Sequence, residues 1–307
     1  MNNLYKPEGM LIGTRENRTA LHSPLSLADA YAKEQILEAR AILCDTAHNL
    51  IVDLGCMQGI IPRCEGAMGI ADGSVRDIAM ISRVGKPVCF IISAIGTDEN
   101  NRPVATLSRR AAQEKCTQEY LSKLRTGDVI DACVTHLEPF GAFCDIGCGV
   151  PSLMPIDSIS VSRISHPRDR FSPGDQIKAV VKNIENGRIT LSQKELLGSW
   201  EQNAALFSQG ETVSGIVRSV EPYGIFIELM PNLAGLAEPK EGVLPGQQAS
   251  VYIKSIIPEK MKIKLIIIDA FSAATLATGL QYFYTGAHLN NWQYSPAGSE
   301  KCIQSVF

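Results

Sequence analysis

Residues 140–143 read Phe-Gly-Ala-Phe, and residues 223–226 repeat the pattern as Tyr-Gly-Ile-Phe. The residues that follow each glycine alternate between apolar and other side chains, which is typical of a β-strand with one buried face. This alternation places Phe143 and Phe226 on the polar face. Because a period of two would put the first aromatic of each pair on the opposite face, we expect a bulge at Gly141 and at Gly224. Two aromatics on an exposed strand face are suited to stacking on nucleic-acid bases.

The two stretches belong to a longer repeat. Gly-Asp-Val-Ile at 127–130 matches Gly-Glu-Thr-Val at 210–213, with the same spacing as the aromatic pairs. Pro-Gly-Asp-Gln at 173–176 matches Pro-Gly-Gln-Gln at 245–248 at a smaller spacing, so the third copy is shorter between its third and fourth strands. A degenerate first copy lies upstream, with His48 and Ile51 in place of the aromatics. About five short strands per copy predict a small barrel.

The sequence therefore predicts a mainly β protein with three tandem five-stranded barrels. The expected parts are an N-terminal arm and helix at 1–35, a degenerate barrel at 36–115, a full barrel at 122–197, a shortened barrel at 208–269 and an aromatic tail at 270–307. Residues up to about 25 are expected to be irregular, and the helix to begin at Ser26 as its N-cap. The tail is expected to be partly helical, from about Ser272 to Tyr284. It either packs on the third barrel or docks on another protein.

Composition and charge limit the function. The chain has 307 residues with a net charge of -3, which argues against nucleic-acid binding by bulk positive charge. No secretory signal or membrane-spanning run is visible, so we expect a cytoplasmic protein. The nine cysteines are odd in number and include no CxxC pair. Cys144 and Cys148 make at most half a metal site, and reduced thiols are the simpler interpretation. We therefore expect neither a metal nor a cofactor.

Several charged residues lie on or near the predicted aromatic faces of the barrels. Alternation on the fifth strands points Arg188 and Lys262 outward, where they would meet phosphates. Arg163 and His166 lie in a loop and either contact phosphate or only cap the turn before Pro167. Asp145 and Glu228 are expected to be solvated strand residues, and not a general acid–base pair.

The residues of the second copy resemble the S1-type RNA-binding domain, a family with the OB-fold. The resemblance rests on the motifs already quoted and on Asp-Ile-Gly at 145–147, Ser-Arg-Ile-Ser-His-Pro at 162–167 and Gly-Arg-Ile-Thr-Leu-Ser at 187–192. It covers the second copy fully, the third in its first half and the first weakly. It implies RNA contacts by the following residues: Phe140, Phe143, Arg188 and Glu185 in the second copy, and Tyr223, Phe226 and Lys262 in the third. The family's histidine after the third strand is replaced by Pro155.

These features favour a non-catalytic protein that binds single-stranded RNA, in particular messenger RNA during translation. With little net positive charge, stacking would supply much of the affinity, and sequence preference would be slight. The second barrel is expected to bind best and the third to assist. The first barrel, which lacks the aromatics, would either hold a protein of the small ribosomal subunit or support the fold. The alternative is a protein-interaction scaffold whose barrels have lost useful RNA affinity.

Overall fold

The computed structural model describes residues 5–272 and 280–307. It confirms a mainly β protein with three closed barrels of five strands each. The chain forms two compact units. The first unit contains the N-terminal arm and the first barrel, together with Asp131–Cys133 and Asp145–Pro151. The second unit contains Arg125–Ile130, Val134–Cys144 and the chain from Ser152 onward.

Two short helices precede the first barrel, α1 (Arg15–Leu21) and α2 (Pro24–Ala32). The expectation that residues before about 25 are irregular was therefore wrong for α1, which is capped by the Thr14 side chain accepting from Asn17 N. The cap of α2 is Ser23 and not Ser26. Ser26 lies three residues later and completes a reciprocal capping box with Ser23.

The first barrel is followed by a helix that the sequence analysis did not predict. This helix, α4 (Arg109–Glu119), begins at the Ser108 cap and buries Ala112 and Cys116. Leu37, Leu50 and Phe90 lie in the fully buried core of the barrel. The elements of the barrel are β1 (Leu37–Cys44), β2 (Leu50–Asp53), β3 (Gln58–Ile61), α3 (Ile78–Ile81), β4 (Pro87–Thr97) and β5 (Pro103–Ser108), in the order β1-β2-β3-β5-β4.

The second and third barrels share one strand arrangement, in which the third and fifth strands of each barrel are parallel neighbours. The second barrel comprises β6 (Val129–Glu138), β7 (Gly141–Asp145), β8 (Pro151–Pro155), β9 (Gln176–Glu185) and β10 (Arg188–Ser192). After α5 (Trp200–Ala204), the third comprises β11 (Thr212–Glu221), β12 (Gly224–Met230), β13 (Leu233–Ala237), β14 (Gln248–Ile257) and β15 (Lys262–Phe271). The loop between the third and fourth strands is shorter in the third barrel, as the repeat predicts.

The C-terminal tail packs on both of these barrels. Most of the helix expected at Ser272–Tyr284 lies outside the described residues, and its described end at 280–284 is irregular. Trp292 and Tyr294 join the core of the third barrel, where they pack with Trp200. The last residues form a two-stranded sheet of β16 (Asn291–Gln293) and β17 (Gln304–Val306). Within the described residues, no helix is long and apolar enough to cross a membrane.

Contacts to the second barrel come from the middle of the tail. The Tyr282 hydroxyl accepts from Lys178 N, at 3.0 Å, and from Gln193 Nε2, at 3.0 Å. His288 Nδ1 lies 2.7 Å from an oxygen of Asp128, and Val129 N donates to the Ala287 carbonyl at 2.9 Å. The tail therefore packs on the third barrel, as one of the two expectations has it, and also ties the second barrel to the third.

A buried charge network holds the N-terminal arm in the first unit. Glu8 accepts from Arg109 Nε at 2.6 Å and Nη2 at 2.9 Å, from Arg83 Nη1 at 2.9 Å and from Cys89 N at 3.0 Å. Asp145, which was expected to be solvated, is 2% exposed and belongs to the same network, because it accepts from Glu8 N at 2.7 Å. Burial and the Glu8 charge raise the pKa of Asp145 to about 7. The strand period placed Asp145 on the outer face of its strand, and the N-terminal arm covers the residue there.

Candidate nucleic-acid interface

The first aromatic of each pair lies in a turn, and not on the strand. Pro139-Phe140 and Pro222-Tyr223 each form the turn of a two-residue hairpin. In the third barrel, Glu221 pairs with Gly224 and Ser219 pairs with Phe226, with no register shift between them. The expected bulge at Gly224 is therefore wrong, since the shift in this hairpin lies between Val217 and Ser219. A turn residue is not bound by the strand period, and this lets both rings reach one side.

The two aromatic pairs have almost the same geometry. The ring centroids of Phe140 and Phe143 are 6.1 Å apart with an interplanar angle of 87°. Those of Tyr223 and Phe226 are 6.2 Å apart at 85°. Phe140 is 56% exposed and Tyr223 is 68% exposed, and the second ring of each pair is half-buried. The second and third barrels thus each present one exposed aromatic ring that packs edge-on against a second, half-buried ring.

A glycine between the two rings is required by a neighbouring strand. A Cβ atom on Gly141 would lie 2.5 Å from the Met154 carbonyl oxygen of β8. A Cβ atom on Gly224 would lie 2.7 Å from the Ala237 carbonyl oxygen of β13. Backbone cannot yield as a side chain can, so any larger residue would push the hairpin and its aromatic away from the barrel.

The interface of the second barrel includes a ring that the sequence analysis missed. The His136 imidazole on β6 stacks against Phe143, with centroids 6.4 Å apart and an interplanar angle of 29°. Its Nε2 lies 2.7 Å from an oxygen of Glu138. A signal for this contact existed, because a two-residue turn at 139–140 pairs position 136 with position 143. This imidazole stands on the aromatic face of a barrel that has Pro155 in place of the family's histidine.

In the third barrel, a row of three outer side chains crosses neighbouring strands. Phe226 on β12 pairs with Leu236 on β13, which in turn pairs with Lys264 on β15. Partners directly opposite each other in a sheet point to the same face. Lys264 is therefore level with Phe226, about 10 Å away at two strand spacings. The predicted cation, Lys262, is exposed on the same face but lies two residues further from this row.

The predicted cation of the second barrel, Arg188, lies on the fifth strand, β10, as the lysines of the third barrel lie on its fifth strand, β15. Arg188 is exposed at the start of β10 and pairs with Glu185 on β9 across the Asn186-Gly187 turn. The next outward residue, Thr190, pairs with Leu153 of β8, the strand that separates β10 from β7. Arg188 and Phe143 thus stand on strands on either side of β8, and Glu185 lies at the rim beside Arg188.

The loop that contains Arg163 and His166 has a short 3-10 turn capped by His166, and it contacts the third barrel through Arg170. His166 is the N-cap of a short 3-10 turn and its Nδ1 accepts from Arg168 N at 3.1 Å. Arg163 is exposed. Glu228, expected to be solvated, is 4% exposed because Arg170 from this loop and Arg218 from β11 both donate to its carboxylate.

The first barrel has an aliphatic surface where the other two have aromatics. Leu43 pairs with Ile51, and Ile51 pairs with Ile60, which makes one row across β1, β2 and β3. Leu43 is 53% exposed, and the two isoleucines are half-buried. His48, which stands in the place of Phe140, lies 3.3 Å from an Asp77 oxygen. This face lacks a stacking pair.

Comparison with known proteins assigns the second barrel. Residues 123–194 match the family model of the S1 RNA binding domain. The similarity to the S1 RNA binding domain family is therefore a property of this barrel.

The longer similarity is to a ribosomal protein. The chain is 30% identical over 252 residues to the small ribosomal subunit protein bS1 of Leuconostoc lactis, covering 77% of this chain and 57% of that protein. It is 30% identical over 234 residues to the bS1 homolog of Bacillus subtilis (strain 168), covering 70% and 58%. The chain thus spans just over half the length of these relatives.

Among solved structures, a multidomain protein with nucleic acid binding domains from Streptococcus pneumoniae aligns with 79% of this chain and 76% of its own. The sequence identity is 14% and the TM-score is 0.26. At that score the alignment adds nothing to the assignment of the interface.

Proposed function

We propose that this chain binds single-stranded RNA through the aromatic faces of its second and third barrels. Messenger RNA during translation is the proposed setting, by the similarity to bS1. The observation that carries the proposal is the repetition of one exposed, edge-braced ring pair on two barrels. A ring kept exposed at two equivalent positions is suited to a ligand with a stacking surface. The protein acts as a non-catalytic binding protein of the cytoplasm.

The charges favour stacking as a main source of affinity. Net charge is -3 over the whole chain, so counterion release contributes modestly. Arg188 supplies one phosphate contact on the second barrel, and Glu185 offers an acceptor to a base edge. The third barrel places Lys262 and Lys264 near Tyr223 and Phe226. A face of rings and few cations suits binding with slight sequence preference.

Replacing Phe140 and Phe143 together with alanine is expected to weaken binding of a labelled 12-nucleotide RNA about 5- to 150-fold. The reason is that loss of one stacked base costs about 1–3 kcal/mol. Fluorescence anisotropy at low salt measures the change. Tyr31→Ala is the matched control, because Tyr31 is an exposed aromatic on α2, outside the barrels. Equal affinity of the double variant would show that the site is elsewhere, whereas no binding by the intact chain would refute the function.

We further propose that the first barrel docks a protein of the small ribosomal subunit. The aliphatic row of Leu43, Ile51 and Ile60 supports this, because apolar side chains on the surface are typical of protein contacts and offer no stacking plane. If this mode extended to all three barrels, the chain would be a protein scaffold. The exposed rings of the second and third barrels favour RNA there.

Replacing Leu43 with aspartate is expected to reduce co-sedimentation of the intact chain with small ribosomal subunits several-fold, with RNA affinity unchanged. A buried interface contact would have to accommodate an unpaired charge. Ile78→Asp on α3 is the matched control, since Ile78 is 63% exposed and lies outside the row. Co-sedimentation that persists in Leu43→Asp but is lost in Phe140→Ala/Phe143→Ala would assign ribosome attachment to RNA alone.

A further inference from the structure

The long loop of the second barrel, residues 156–175, is anchored on the third barrel. Ser162 N donates to the Pro231 carbonyl at 3.1 Å, and Val161 N donates to Asn232 Oδ1 at 2.9 Å. Asn232 is fully buried, and its Nδ2 donates to the carbonyls of Lys194 and Gly198 at 2.8 and 3.0 Å. One side chain thus satisfies the loop and the linker between the barrels, so the start of the loop has a defined place on the third barrel.

The end of the loop is fixed by a buried cluster of charges. Arg170 Nη2 donates to Glu228 Oε2 at 2.5 Å, and Arg218 donates to the same carboxylate at 2.9 and 3.1 Å. The side chains of Arg170 and Glu228 are each 4% exposed, and that of Arg218 is 12% exposed. Arg218 Nη1 also lies 3.7 Å from Asp169 of the loop. Two acids face two arginines, so no charge of the cluster is left over for a ligand, and its role is to hold the loop.

This cluster lies beside the aromatic pair of the third barrel. Glu228 follows Phe226 by two residues on the same outer face of β12, which is about 7 Å along a strand. Arg218 lies at the bulge in β11, next to Ser219, the partner of Phe226. The end of the loop, at Arg170, therefore reaches the outer face of β12 one outward position from Phe226, and Lys264 lies on the other side of Phe226 across β13.

The exposed part of the loop carries cations that the cluster does not use. Arg163 and Arg168 are both exposed. Arg168 lies against His166, with its Nη2 3.4 Å from the imidazole Nε2, and the His166 cap holds the backbone of the turn. The third barrel has Lys262 and Lys264 on its outer face, and the loop adds two exposed cations to these.

We propose that residues 162–170 of the second barrel form part of the RNA site of the third barrel. Arg163 and Arg168 contact the phosphates of a single strand whose bases stack on Tyr223 and Phe226. This rests on the proposed function and adds to it a composite site made by two barrels. Arg170, Arg218 and Glu228 are positioning residues, which keep the loop beside the rings.

A double-mutant cycle tests the composite site. Binding of a labelled 12-nucleotide RNA is measured for the full chain, Arg163→Ala/Arg168→Ala, Tyr223→Ala/Phe226→Ala and the combination of the four changes. We expect the loop variant to bind about 5- to 20-fold more weakly. The slope of the logarithm of the binding constant against the logarithm of the salt concentration should become shallower by roughly 1.4, because two phosphate contacts are lost. In the Tyr223→Ala/Phe226→Ala background the same loop change should cost less than twofold. In the Phe140→Ala/Phe143→Ala background it should keep its full effect.

The controls separate the possible outcomes. Lys254→Ala/Lys301→Ala removes the same charge from two exposed positions outside the loop, and should change affinity by less than twofold. A loop effect that vanishes with Phe140 and Phe143 would assign the loop to the second barrel and overturn the composite site, with RNA binding intact. A loop effect of full size in both backgrounds would also overturn it. If the intact chain binds no RNA at low salt, the proposed function itself fails.

Discussion

Replacing Trp292 with alanine is expected to lower the free energy of unfolding of the third barrel by about 3–5 kcal/mol, the usual cost of truncating a buried tryptophan. Trp292 is 8% exposed, and its ring lies 5.8 Å from that of Tyr294 in the core that also holds Trp200. The free energy of unfolding of a single domain is only about 5–15 kcal/mol, so the loss of this one side chain of the tail would remove a large part of the stability of the barrel. Urea unfolding followed by the fluorescence of Trp200, the other tryptophan, measures the loss.

Two further variants make that measurement specific. Trp292→Phe should cost less than the alanine change, because it keeps an aromatic ring and removes an indole N–H that has no hydrogen-bond partner among the described residues. Tyr252→Ala should cost less than about 1 kcal/mol, because that ring is 38% exposed on β14. If Trp292→Ala unfolds at the same urea concentration as the unchanged chain, the tail is not part of the core of this barrel.

The position of the tail bears on RNA binding as well as on stability. Its contacts at Tyr282 and His288 hold the second barrel, and those at Trp292 and Tyr294 hold the third. The composite site needs the loop of one barrel to stay beside the rings of the other. The buried charge cluster fixes the loop itself, and the tail ties together the two barrels that it joins. A partly unfolded tail should therefore weaken binding of a long RNA more than binding of a short one that fits a single barrel.

The strand period and the turns were sufficient to predict much of the fold. The alternation around Phe143 and Phe226 identified the core face and the outer face of each strand. The repeated glycine located the hairpins. The neighbouring strand approaches both glycines closely, and in the third barrel the register shift lies between Val217 and Ser219 and not at Gly224. What the period could not reveal is which outer residues are covered by a distant segment. Asp145 and Glu228 both point outward as predicted, and both are buried, one under the N-terminal arm and one under the loop.

Two other features were missed for different physical reasons. The helix α4 is mostly polar and buries a narrow side, including Ala112 and Cys116, so its sequence shows little apolar periodicity. The stacking of His136 on Phe143 followed from the hairpin register, but only after the turn at Pro139-Phe140 was recognised. The RNA-contacting roles of Phe140, Phe143, Arg188 and the matching residues of the third barrel stay predictions until binding is measured.

Replacing Glu8 with alanine is expected to destabilise the first unit by about 3–5 kcal/mol, because it leaves the buried Arg109 without its counterion. Arg109 is 2% exposed and donates two hydrogen bonds to Glu8, and Arg83 donates a third. Burial alone would raise the pKa of Glu8, but the charges and hydrogen bonds of Arg109 and Arg83 outweigh it and leave the pKa below its usual value. The carboxylate is therefore ionised in the folded state at pH 7, and its contribution is lost only as the pH falls below about 4, where the unfolded chain takes up protons first.

Hydrogen–deuterium exchange of β4 amides measures this loss, since Cys89 N bonds to Glu8 and both tryptophans lie in the second unit. The fluorescence of Trp200 and Trp292 should keep its urea midpoint, which separates a local effect from a general one. Glu34→Ala is the matched control, because its ion pair with Lys115 spans 4.0 Å with the carboxylate 78% exposed, and such pairs contribute at most about 1 kcal/mol. Glu8→Leu/Arg109→Met should recover part of the stability, since it removes the buried charge of Arg109 and leaves only Arg83, whose side chain is 22% exposed, without a partner acid. If the double replacement is as unstable as Glu8→Ala, packing of the arm and not charge pairing is what Glu8 provides.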